Sequence, residues 1–175
     1  MVKLILIAIG FVFIAGNRYV KALFTLPIAA NNIYEQQYQM HRFAVDYYNK
    51  PVAVNDVGYV SYKNDNYVLD LWGLASIKAF NYRKNSDGID WMKELCSEKN
   101  IELAMIYDGW FKGIPNSWIK IGELHLGKRD VTPARSNVVF YAMSQNAYSN
   151  IVEKLQPFVE TLPLGVKFTF EKSSH

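Results

Sequence analysis

The chain has little of what the commonest functional sites are built from. A single cysteine, Cys96, leaves no partner for an intrachain disulfide. The histidines His41, His125 and His175 share no ligand spacing with Cys96 or with one another, so no zinc or haem signature is present. No glycine-rich turn leads into Lys-Ser or Lys-Thr, and neither G-x-S-x-G nor H-E-x-x-H occurs, so the familiar templates imply no metal and no cofactor. A formal charge of only +3, with Lys and Arg scattered among Asp and Glu, supplies no basic stripe and excludes nucleic acid as the expected partner. There is no internal repeat, low-complexity tract or second-domain linker.

Apolar and aromatic residues, by contrast, are abundant. Half of the 175 residues are hydrophobic and 15% are aromatic, which suits one substantial core and one domain. From Leu4 to Gly16 the chain reads LILIAIGFVFIAG, uncharged and preceded by Lys3, the character of a signal or membrane-anchor core. As a helix this run covers about 20 Å, short of the roughly 30 Å of bilayer hydrocarbon. The following stretch stays largely apolar to Ala30, with Asn17, Arg18 and Lys21 spaced to form one polar stripe. Three arrangements fit: a long helix turning that stripe toward partner helices, a short anchor followed by an interfacial segment stopping at Pro27, or a cleaved signal. Bulky Ile14 before Gly16 argues against cleavage. The domain expectation is therefore a membrane anchor over residues 1–30 and an extracytoplasmic domain over 31–175.

Asn32 followed by Glu35 has the spacing of a capping box and predicts a helix start, with Ile33, Gln37, Met40, Ala44 and Tyr47 on its inward face. Val52–Val54 and Tyr67–Leu69 read as buried strands separated by a short helix and turn. Ser76–Tyr82 reads as a helix, RKNSDG after it as a polar loop, and Ile89, Met92, Leu95 and Cys96 as the face of another helix. Ile101–Tyr107 is the next strand. The run from Ile119 alternates toward His125, and Val138–Ala142 is a further strand, with GKRDVTPARSN as the loop between them. Ser144 caps a helix broken or kinked at Pro157, and Val166–Phe170 closes as an edge strand. This order predicts an α/β fold, a single domain with a mixed, partly antiparallel sheet flanked by helices, parallel in its first half and preceded by the N-terminal membrane helix.

Asp56, Asp70 and Asp108 each fall at the carboxyl end of a predicted strand, where open α/β sheets place ligands, although an aspartate there also serves simply as a turn or cap residue. Trp72 and Trp110 lie in the same loops, and their faces could stack on sugar rings, sit in a membrane interface or pack in the core. These five are the candidate ligand-binding residues; none is assigned a catalytic role.

The segments NNIYEQQYQMHRFAVDYY, VAVNDVGYVSY and VLDLWGLAS, together with AMIYDGWF further on, resemble the C-terminal tail of polytopic bacterial GT-C-type glycosyltransferases, membrane enzymes that use polyprenyl-phosphate sugars. By that resemblance the apolar N-terminus corresponds to a last transmembrane helix of the bacterial inner membrane. The partners it implies are the membrane, a polytopic membrane protein and a lipid-linked sugar. These enzymes carry their catalytic carboxylate in an early loop that this chain lacks, so the resemblance carries over no catalytic residue. It implies a noncatalytic tail domain that assists substrate binding or assembly. An exported saccharide- or envelope-binding module is the alternative, and a hydrolase or transferase using Asp56 and Asp108 as acid and base is a third.

Overall fold

The computed structural model describes residues 2–86, 88–127 and 131–172, with the side chains of residues 2, 4 and 6–9 excepted. His175 and part of the loop between the later strands lie outside the described residues. Helix α1 (Val2–Glu35) is followed directly by α2 (Gln37–Arg42) and a π-helical turn (Phe43–Tyr48). Strand β1 (Val52–Val54), helix α3 (Gly58–Ser61), β2 (Val68–Asp70), α4 (Ile77–Asn85), α5 (Asp90–Glu98) and β3 (Leu103–Ile106) come next. A 3-10 turn (Asp108–Trp110), β4 (Ile119–His125), β5 (Asn137–Ala142), α6 (Gln145–Glu160) and β6 (Lys167–Phe170) complete the chain.

The six strands form one sheet in the order β2-β1-β3-β5-β4-β6. β1 runs parallel to both β2 and β3, with Val54 opposite Asp70 and Met105, and every later pairing is antiparallel. The mixed α/β sheet expected from the element order is thus present, with its parallel crossovers in the first half. Alternation along the strands divides the core. Val52, Val54, Leu103, Met105 and Phe140 pack with Met40, Phe43, Ile151, Leu155 and Phe158, beneath α2, the π turn and α6. Ala53, Leu69, Ala104, Ile106 and Val139 turn the other way, onto Ala79, Met92, Leu95 and Cys96 of α4 and α5. Phe43 anchors the first layer, its ring 5.7 Å from Phe140 and 5.1 Å from Phe158; full burial of such a ring stabilises by roughly 1.5–3 kcal/mol.

Local chemistry accounts for three of the element ends. Ser76 and Ser144 each accept the N–H three residues on, from Ala79 and Ala147, satisfying a helix amide that has no intrahelical partner. Asn49 takes left-handed φ and donates its N–H to the Ala44 carbonyl, closing the wide turn.

Four expectations are corrected. No helix begins at Asn32: α1 runs through it, and both Asn32 and Glu35 are buried and committed to a distant loop, Asn32 Oδ1 accepting from the Val131 N–H and Glu35 Oε2 from the Gly127 N–H. Strand β4 does not alternate simply, because Lys120 pairs with Tyr141 and Gly122 with Phe140, so Ile121 is an extra, bulged residue. Ile121 and Leu124 consequently share the buried face despite being three apart. Gly122 is required there, since a Cβ would meet the Thr169 carbonyl and stand 2.7 Å from the Phe168 ring. Arg83, Lys84 and Asn85 belong to the last turn of α4 rather than to a loop, and α6 is not broken at Pro157 but runs on to Glu160.

Helix α1 also continues through Gly16 and Pro27, so the short anchor ending near Gly16 is not the geometry adopted. Among the described residues no helix is long and apolar enough to cross a membrane.

Candidate functional site

β1 sends its chain to β2 on one side and flanks β3 on the other, so the β1/β3 junction is the point where the strand order reverses, and ligands of open α/β sheets collect outside the carboxyl ends there. Asn55 and Asp56 follow β1 at this edge, and Tyr107 and Asp108 follow β3. Asn55 Oδ1 accepts the Tyr107 N–H at 2.7 Å and ties the two strand ends together. On the α2 side, Asp56 Oδ2 accepts from Gln37 Nε2 at 3.1 Å. The Tyr107 hydroxyl donates to Gln36 Oε1, and Gln36 Nε2 donates to the Arg135 carbonyl at 2.9 Å. Gln36 and Gln37 are buried, and in this network the buried Gln37 Oε1 and Asn55 Nδ2 have no hydrogen-bond partner among the described residues. A buried amide group without a partner costs about 1–3 kcal/mol, so it marks a place able to receive a polar group.

Asp108 turns to the opposite face. Its Oδ1 accepts the Gly109 N–H at 2.7 Å and its Oδ2 the Tyr141 hydroxyl at 3.2 Å. Burial, then the neighbouring Asp108 carboxylate, pushes the Tyr141 phenol well above its ordinary range, so it remains a donor. With Asp56 held toward α2 and Asp108 toward the α4/α5 layer, the two carboxylates do not face a common centre.

Asp70 is occupied internally. One carboxylate oxygen accepts the N–H groups of Trp72 and Gly73 at 2.8 and 3.0 Å, and the other that of Ala75. This clamp fixes the loop carrying Trp72. The Trp72 ring lies 4.6 Å from Trp110, and Trp110 lies 5.3 Å from Tyr107. The Arg83 guanidinium covers the other part of Trp72 at 3.9 Å while its Nε donates to the Trp72 carbonyl at 2.9 Å. Trp72, Trp110 and Tyr107 therefore form one aromatic row linking the β2 and β3 loops. Of the five expected residues, Trp72 and Trp110 come together, Asp56 and Asp108 flank them on opposite faces, and Asp70 holds the loop from beneath.

Gln36, Gln37 and Arg83 were not among the expected site residues. The glutamines fall on a helix whose periodicity reads as ordinary packing, and the signal they offered was their density: Gln36, Gln37 and Gln39 within four positions of a mostly inward-facing segment.

Among the described residues no group of three His, Cys, Asp or Glu side chains is placed to hold a metal ion. A family model described as "Domain of unknown function (DUF8728)" matches residues 31–141, well over half of the chain. The match begins where the apolar part of α1 gives way to its buried polar part. No curated protein matches the chain, and no solved structure does.

Proposed function

The chain belongs to the DUF8728 family, and we propose that it is a noncatalytic, membrane-borne domain, similar in role to the tail of a GT-C-type glycosyltransferase, that helps a polytopic membrane partner to bind a lipid-linked sugar or to assemble. The observation that carries this reading is the exposure of α1. Phe11, Val12, Phe13 and Ile14 are consecutive and exposed by 74%, 69%, 75% and 73%. At 100° per residue, four consecutive positions point around the whole circumference. A stretch apolar on every side suits lipid or burial among other helices, although α1 as a whole is not long and apolar enough to cross a membrane.

The polar residues of α1 agree with a mixed environment. Asn17, Arg18 and Lys21 form the stripe expected to face partner helices or to reach headgroups with long side chains. With its 34 residues the helix is about 51 Å long, so its apolar part stands well clear of the sheet. The proposed location is the bacterial inner membrane, with the α/β domain on the extracytoplasmic side.

The site supports binding rather than turnover. Acid–base transfer needs two groups aimed at one reacting centre, and Asp56 and Asp108 are held on opposite faces of the sheet. The aromatic row favours a second reading, a free-standing exported module that binds a saccharide.

Cell fractionation with protease protection tests the leading reading. The expected result is membrane-bound protein whose domain is cut only by protease added from outside the inner membrane. Uncleaved chain recovered wholly in the cytosol refutes it, and soluble export of a shortened chain favours the second reading. Purified chain supplied with a polyprenyl-phosphate sugar and acceptor is expected to show no transfer.

A further inference from the structure

We propose that the cavity between the end of α4, the start of α5 and the 3-10 turn after β3 is a binding site for a small ring-bearing organic anion. This inference goes beyond the membrane-domain reading and needs no part of it. The cavity has a volume of about 230 Å³, below the usual range for drug-sized ligands and suited to a single substituted ring. Its walls include Trp91, Trp110 and Phe111, and its polar lining includes Arg83, Lys112 and Ser86.

Two features select the ligand. Three aromatic side chains offer faces and edges for a ring, which stacks on them without needing a particular hydrogen-bond pattern. Two cations, Arg83 and Lys112, line the same space. Lys112 is exposed and forms no ion pair among the described residues. Arg83 is held in place by its stack on Trp72 and by the Nε bond to the Trp72 carbonyl. Its two terminal nitrogens have no hydrogen-bond partner among the described residues. A planar guanidinium held in this way loses little freedom on binding and offers two parallel donors to a carboxylate or phosphate.

The loop clamp described above belongs to the same device. Asp70 fixes Trp72, Trp72 fixes Arg83, and Trp72 rests against Trp110 in the cavity wall, 5.9 Å from Phe111. The cationic and aromatic walls are thus set by one chain of contacts before any ligand arrives, which lowers the ordering cost of binding.

The test is titration of the purified full chain in mild detergent, followed by calorimetry and by tryptophan fluorescence, with glucuronate, glucose 1-phosphate, glucose and inorganic phosphate. The expected result is saturable binding of glucuronate or glucose 1-phosphate, with glucose and inorganic phosphate weaker by about tenfold or more, the order set by one charge-assisted hydrogen bond or one stacking contact. Affinity is expected to fall as sodium chloride is raised. Lys112→Gln, a change at an exposed side chain that leaves the core intact, should weaken both ring-borne anions by a similar factor, and Arg83→Gln should weaken them further. Glucuronate preferred over glucose 1-phosphate identifies the ligand as a carboxylate, and the reverse identifies it as a phosphate. Binding of glucose as tight as that of its charged counterparts, binding of inorganic phosphate as tight as that of either ring, no binding at all, or an affinity unchanged in Lys112→Gln and Arg83→Gln would each overturn the proposal.

Discussion

Replacing Asp70 separates a residue that builds the site from one that touches a ligand. In Asp70→Ala three backbone N–H groups lose a carboxylate acceptor. Ala75 is exposed, so water takes over its bond, whereas Trp72 and Gly73 are half-buried and their N–H groups are only partly resolvated. Hydrogen bonds to a charged group contribute roughly 1.5–3 kcal/mol each. Two such bonds at the lower end give a loss of about 3 kcal/mol, a large share of the 5–15 kcal/mol that a domain possesses. At two to four degrees per kcal/mol, the melting temperature should fall by roughly 6–12 °C. Asp70→Asn keeps the shape and one acceptor oxygen, so about half of that loss is expected. The tryptophans, Trp72, Trp91, Trp110 and Trp118, all lie outside α1, so a fluorescence melt of the full chain reports the domain alone. An Asp70→Ala protein melting within about 1 °C of the parent would show that the clamp contributes nothing, because so small a shift corresponds to less than 1 kcal/mol. Retained stability with lost ligand binding would move Asp70 from the scaffold into the site.

Gly73 adopts φ +90°, and a Cβ there would lie 2.6 Å from the backbone of Phe80; Gly73→Ala should cost about 2–3 kcal/mol from backbone strain plus the clash and should shift tryptophan emission, both readable in one melt. Burial pushes the Cys96 thiol up to about 12, while an unfolded thiol ionises near ~8.5, so the folded chain holds the extra proton between these values and stability should fall as pH rises above about 8.5, by at most ~1.4 kcal/mol per pH unit from this group. Urea unfolding at successive alkaline pH values should show this slope, and Cys96→Ala should lack that part of it. A chain starting at Asn31 retains the buried polar end of α1 and both core layers, and it should unfold cooperatively on heating; a molten product would place the apolar segment within the core.

The elements with clear periods or caps were legible in the residues. Val52–Val54, Ile101–Tyr107 and Ser144 each showed their role by local chemistry that the fold keeps, whereas Ser76 read as the first helical residue and is the cap of α4. Failures occurred where a distant partner outbid a local pattern. Asn32 and Glu35 have capping-box spacing, yet their side chains serve amides more than ninety residues away, a competitor that no local window contains. The bulge at Ile121 answers to the close approach of β6 to Gly122, which again lies outside the β4 segment. The strand-end aspartates were visible as a set, but their separate fates were not, because whether a carboxylate meets its own loop, a glutamine or a tyrosine depends on which face of the sheet it turns toward.

The same long-range contacts tie the exposed helix to the crevice. Backbone hydrogen bonding continues across the irregular Gln36, from its N–H to the Asn32 carbonyl and from the Met40 N–H to its own carbonyl, so α1 and α2 form one unbroken path from the apolar turns to the π turn. Gln36 binds the Tyr107 hydroxyl and Gln37 binds Asp56, while Tyr107 stands against Trp110 in the wall of the cationic cavity. A tilt of α1 therefore cannot be absorbed at a loose hinge. It must displace a buried glutamine whose partners are the residues at both strand ends, at the cost of leaving amide groups unpaired in the interior. On the membrane-borne reading proposed above, a lipid or helix that gripped the apolar turns would bear on the crevice through these same bonds.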